Sequence, residues 1–235
     1  MKLYDETIRK MQELLGQGAS RTLPIGETGW EDVSDRTMIL RSEMAYELGG
    51  EQLPAIGCTI ITADEKLAAT DGITLLGEDL PKISRDVPYA RVAVVRVDEG
   101  TLGEGEALYK AIRTLEYTRY HFYPEGFMMR VSTSKHKESV RIGSAALKKG
   151  LDFTKTGNRM ISAFHKNPAV KAVRLYYVTQ ADFDYKMLES YVREAEDITG
   201  AIDHILKNLP MDCGVCSLQK VCDEVEGLRE LHFHK

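Results

Sequence analysis

The run Tyr89-Ala90-Arg91-Val92-Ala93-Val94-Val95-Arg96-Val97 constrains this chain more than any other, because nine residues, four of them valine and seven of them apolar or aromatic, read as a central strand. Other runs of the same kind surround it. Met44 to Leu48 closes at Gly49-Gly50, Ile56 to Ala63 is rich in isoleucine and threonine, and Gly72 to Leu76 closes at Gly77. Phe127 to Ser132 and Ala172 to Thr179 complete the expected strands. Helical spacing lies between and around them. Tyr4, Ile8, Met11 and Leu15 share a face over residues 4–15, and Leu108, Ile112, Leu115 and Arg119 do so over 106–120. Helices are also expected over 139–149 and 154–165, parted by Gly150, and over 183–207, with Asp182 as N-cap and Pro210 as stop. The expected fold is α/β or α+β, a central mixed β-sheet flanked by helices. It divides into an N-terminal helix and arm (1–40), an α/β domain (41–209) and a C-terminal metal-binding cysteine loop (210–235). Residues 16–35 are rich in Gly and polar residues and hold the single tryptophan, Trp30. They read as a linker or arm that packs on the body or on a second copy of the chain, which would give a homodimer.

Three of the four cysteines fall within ten residues, as Cys213-x2-Cys216-x5-Cys222. The short x2 loop lets two thiolates chelate one centre, and the x5 arm brings a third. Soft thiolates select zinc, copper(I) or iron–sulfur clusters over hard cations. No apolar signal segment follows Met1, so a cytoplasmic chain with reduced thiols is expected, and clustered cysteine there points to metal or redox chemistry rather than disulfides. The spacing suits a [4Fe–4S] cluster better than the paired C-x2-C of zinc sites, and zinc is the alternative. A fourth ligand could come from Cys58, from His232 or His234, or from a small molecule or partner at an open iron. Cys58 lies in a strand-like run, where a buried thiol also serves as a small core hydrophobe.

Charge is unevenly spread. The chain carries −5, yet between Arg130 and Arg174 eleven Lys/Arg face only Glu138 and Asp152, so that segment carries +9 and the remainder −14. Two readings are open: an anionic partner for the middle of the chain, or a surface answered by acidic segments elsewhere in the fold. Lys148 and Lys149 end one expected helix, and Lys155 and Arg159 begin the next. An anion at the helix start Thr154-Lys155-Thr156 would gain backbone N–H donors and the helix dipole. A phosphate-bearing small molecule or an acidic protein surface fits this segment at least as well as nucleic acid, since it has few aromatic residues for base stacking.

Several chemistries are missing. There is no Walker A motif and no G-x-S-x-G elbow, and Gly100 to Gly105 departs from a dinucleotide fingerprint. His121, His136, His165 and His204 are scattered, so no nucleophile or base is named. No apolar stretch long enough to span a membrane is present.

The order of Glu47-Leu48-Gly49-Gly50, Gly72-Ile73-Thr74-Leu75-Leu76-Gly77-Glu78-Asp79-Leu80, Met129-Arg130-Val131-Ser132, the strand near Leu175, the helix after Asp184 and the cysteine loop resembles the middle domain of acetyl-CoA synthase, the β subunit of the carbon monoxide dehydrogenase/acetyl-CoA synthase complex. The resemblance covers roughly residues 44–222. Cys213 and Cys216 match the first two cluster cysteines of that family by spacing, and Cys222 matches the third by order while coming three residues early. The family's fourth cluster cysteine and its nickel-binding Cys-Gly-Cys have no counterpart here, so acetyl-CoA synthesis by this chain alone is not implied. The resemblance implies an iron–sulfur protein of one-carbon or corrinoid metabolism, of the kind found in anaerobes. Its partner would be a dehydrogenase or corrinoid protein, and coenzyme A would be the anion for the basic segment. A remote cysteine followed by a C-terminal C-x2-C-x5-C also resembles the iron staple of RecB-like nucleases, but the Glu-x-Lys and Gln-x3-Tyr of those enzymes are missing.

Overall fold

The computed structural model describes residues 2–33, 38–102, 106–131 and 136–206, together with 218, 219 and 221. The expected mixed sheet flanked by helices is present. Its elements run α1 (Asp5–Gly16), β1 (Ser20–Leu23), β2 (Met44–Leu48), β3 (Ala55–Thr62), β4 (Gly72–Leu76), β5 (Tyr89–Val97), α2 (Glu99–Leu102), α3 (Glu106–Glu116), β6 (Phe127–Val131), β7 (Glu138–Gly143), α4 (Ser144–Lys148), α5 (Phe153–His165), β8 (Val170–Val178) and α6 (Tyr185–Leu206). Single 3-10 turns lie at Leu80–Lys82 and Tyr117–His121.

Five strands form one sheet in the order β1-β4-β8-β5-β3. β4 runs parallel to β8 and β3 parallel to β5, while β5 and β8, and β1 and β4, are antiparallel. Every residue of β5 except Arg96 is buried, which is why that run carries almost no polar alternation. The sheet has helices on both faces. On one, Thr62 donates to Asp5 of α1 at 2.7 Å and Gln12 reaches the Tyr176 hydroxyl at 3.2 Å. α6 lies on α1, joined by Tyr4–Thr199 at 2.9 Å and Thr7–Glu194 at 2.8 Å. On the other face α5 covers β8 and β4: Phe153 stacks on Tyr177 at 4.4 Å, and Gly157 sits so close to Ile73 that a Cβ there would collide.

The remaining strands form a small antiparallel sheet in the order β2-β7-β6. It meets the large sheet along the edge of β3, where Gly57 N–H donates to His136 O at 2.8 Å and Ile56 bridges Lys137. The tight turn into β6 places Gly126 at φ +74 against Ala146, a position closed to a side chain on both counts.

Three local expectations differ from what is observed. Residues 139–143 belong to strand β7 rather than to a helix, because Val140 and Ile142 are buried while Ser139 and Arg141 face outward, a period of two. The helical part of that stretch shrinks to α4. Within 16–35, β1 adds an edge strand that only Leu23 anchors to the core. The loop after it also packs on the body, since Trp30 Nε1 donates to Glu125 O at 3.1 Å and Val33 N to Tyr123 O at 2.9 Å. Finally, the N-cap of α6 is Asp184, whose carboxylate accepts from Met187 N at 2.9 Å, while Asp182 accepts from Gln180.

Candidate functional site

The seam between the two sheets holds the most unusual chemistry among the described residues. Arg91 stands in the middle of the apolar strand β5, with its side chain fully buried. Its guanidinium grips Glu138 at the start of β7 through two bonds, Nε to Oε1 at 2.7 Å and Nη2 to Oε2 at 2.8 Å, and donates from Nη1 to Cys58 O at 3.0 Å. Glu138 is also fully buried, and Arg119 approaches it at 3.7 Å from the 3-10 turn after α3. Burial works against the charge on Arg91, but the carboxylate beside it outweighs burial and raises the pKa above the ordinary guanidinium value. Gly57 makes room for this pair, because a Cβ there would run into the Glu138 carboxylate. The arrangement is a fixed charge lock between β5, β7 and β3. It offers neither nucleophile nor general base. Composition gave one visible sign of it: an arginine inside an apolar strand requires a buried partner.

Cys58 lies one residue along β3 and points to the opposite face. It is 5% exposed. Burial pushes its thiol up to about 12, against a smaller lowering by Arg91. Beside it is a cavity of about 40 Å³ lined by Tyr4, Ile112, Glu116, Arg119, Glu196 and Thr199, among others. That volume takes a guest of one or two waters. A metal cluster on Cys58 would therefore require α3 and α6 to part. Glu196 closes one side and pairs outward with His136, Nδ1 to Oε2 at 3.1 Å, while His136 Nε2 lies 3.3 Å from Glu189. His165 likewise faces Asp71, at 2.9 Å.

The basic segment is largely answered from within the fold. Arg159 meets Asp32 at 2.5 Å and Lys155 meets Asp152 at 3.1 Å. Lys149 pairs with Glu125, and Lys148 is exposed at the end of α4. Arg130 meets Glu47 at 2.6 Å and Lys171 meets Asp98 at 3.5 Å. The N-terminus of α5 is occupied by the chain's own anions: Asp152 accepts from Lys155 N at 2.8 Å, and Asp79 accepts from Phe153 N at 2.9 Å. A ligand anion at Thr154-Lys155-Thr156 has to compete with both carboxylates. Lys155 also lies over the Trp30 ring at 5.6 Å. Arg159 lines an open groove of about 760 Å³ with Trp30, Asn158 and Ser162, but Glu27, Glu31 and Asp32 line it too, which makes its wall net acidic.

Cys213, Cys216 and Cys222, with His232 and His234, lie outside the described residues. Three residues interleaved with the cysteines are described, Leu218, Gln219 and Val221, and Gln219 is exposed. Leu218 and Val221 are partly buried and pack against the hydrophobic core. Among the described residues no three His, Cys, Asp or Glu side chains are grouped to hold a metal, and no helix is long and apolar enough to cross a membrane. A scan of protein-family models and a search of curated proteins found no match to this chain.

Proposed function

We propose that this chain is an iron–sulfur protein related to the acetyl-CoA synthase β subunit, serving as an accessory that carries electrons for, or docks on, a dehydrogenase or corrinoid protein of one-carbon metabolism. The observation that carries the reading is the cysteine run itself, with Leu218 and Val221 inside it packed on the core. Such packing ties Leu218 and Val221 to the body of the fold, and a cluster site needs rigid neighbours of this kind. Three thiolates fit the donor chemistry of a [4Fe–4S] cluster. Cys58 lies buried beside a cavity of about 40 Å³, so the reading favours His232, His234, or a small molecule or partner residue at an open iron as the fourth ligand. When bound, such a cluster supplies single-electron transfer.

Anaerobic purification tests this directly. The expected product is brown, with visible thiolate-to-iron charge-transfer absorption and about four irons per chain, by analogy with a cubane. A paramagnetic signal should develop on reduction. Ser replacement of Cys213, Cys216 or Cys222 should abolish the colour. Colourless protein holding one zinc per chain would replace this reading with a zinc-stapled interaction module.

A further inference from the structure

The cavity beside Cys58 carries an inference independent of the cysteine loop. Glu196 lines it and uses only one of its carboxylate oxygens. Oε2 faces His136, whereas Oε1 is buried and has no hydrogen-bond partner among the described residues. Buried polar atoms in native proteins are nearly always satisfied, by protein or by ordered water. The lining offers more than the single oxygen: Glu116, Arg119, Tyr4, Thr199 and Cys58 bring further polar atoms to the same space. Tyr4 and Thr199 already bond one another at 2.9 Å, and Thr199 is held to Ala195 O at 3.0 Å, so these hydroxyls are committed within the wall. Among the described residues no donor reaches Glu196 Oε1.

We propose that this cavity is a binding site for one water-sized hydrogen-bond donor, water or ammonium, held on Glu196 Oε1. The volume of about 40 Å³ exceeds what one water needs and falls far short of an organic ligand. Arg113 engages the Glu116 carboxylate and Arg119 faces Glu138, so the acceptor left over on the lining is Glu196 Oε1, which selects a neutral or cationic donor over an anion. The guest sits beside the buried Cys58 thiol, joining it to the His136 surface through Glu196.

The decisive experiment is a high-resolution crystal structure of the wild-type chain with and without xenon pressure. A polar hydrated cavity shows a solvent peak within hydrogen-bond distance of Glu196 Oε1 and takes no xenon, whereas a dry apolar cavity does the opposite. Glu196→Leu should lose the peak and admit xenon. An empty cavity, or xenon in the wild type, overturns the proposal, and the wild-type crystal decides this even if the variant fails to fold. Melting scans in ammonium chloride and sodium chloride at equal ionic strength separate the guests. An unchanged midpoint assigns water, and a rise with ammonium that Glu196→Gln removes assigns ammonium.

Discussion

Glu138→Ala is the substitution that most sharply tests how the two sheets are held together. It removes both acceptors of Arg91 Nε and Nη2, at 2.7 and 2.8 Å, and also the carboxylate 3.7 Å from Arg119. Arg91 cannot escape by losing its proton, because a guanidinium stays charged at any ordinary pH. It also cannot turn to solvent, being fully buried with Nη1 on Cys58 O. Breaking a buried pair from one side costs about 3–5 kcal/mol, since the remaining charge is stranded. Against a typical domain stability of about 5–15 kcal/mol, that is a large fraction of the whole. Urea unfolding under reducing conditions should show the midpoint falling accordingly. The double replacement Arg91→Met with Glu138→Leu removes both charges and should recover most of the loss, as apolar groups of similar volume often substitute for a buried ion pair. Two results would refute the reasoning: a single-variant loss under about 1 kcal/mol, as for an exposed pair, or a double variant as unstable as the sum of its singles.

Four other outcomes are expected. Gly57→Ala should destabilise by about 1–3 kcal/mol through overpacking against Glu138, and the overpacking should persist in the Glu138→Ala background, because alanine keeps the Cβ that lies 2.6 Å from the added methyl. The Cys58 thiol is raised from 9.0 to about 12, so the folded chain keeps a proton that the unfolded chain releases. Stability is therefore lost as pH rises above 9.0, by up to about 1.4 kcal/mol per pH unit, and Cys58→Ala should flatten that part of an alkaline unfolding curve. Iron content measured anaerobically should survive Cys58→Ser but not Cys213→Ser. Coenzyme A titrated calorimetrically at low salt should give no saturable heat, because Asp32, Asp152 and Glu125 already engage Arg159, Lys155 and Lys149. One-to-one binding weakened by Lys155→Ala with Arg159→Ala would restore the anion reading.

Much of the large sheet is legible in the sequence because its signals are local. β4 and β5 fall on the expected residues, and β3 and β8 lie within two of them, since β-branched runs bounded by Gly and polar residues need no distant information. β7 was obscured because its alternation of Val140 and Ile142 runs straight into Ala145-Ala146-Leu147, and the combined stretch mimics a helical stripe. β1 is too short and too exposed to carry any pattern, and only its pairing with β4 defines it. The lock at Arg91 depends on a partner 47 residues away, and the filled N-terminus of α5 on Asp79, 74 residues before Phe153. Such contacts are set by topology, so a linear reading of charge shows a basic segment where the fold shows mostly matched pairs.

The docking of α1 on α6 sets a timetable for synthesis. Thr7 finds Glu194 across 187 positions, and Tyr4 finds Thr199 across 195. At about 5–20 residues per second, the first helix leaves the ribosome roughly 10–40 s before its partner exists. Throughout that interval Tyr4 and Thr7 lack the α6 partners they hold in the finished fold. Helix α1 is thus made well before α6, and its docking on that helix comes late. A growing chain of this kind offers a chaperone an undocked helix, and a ribosome stalled before α6 would release a product in which Tyr4 and Thr7 have no Thr199 or Glu194 to meet.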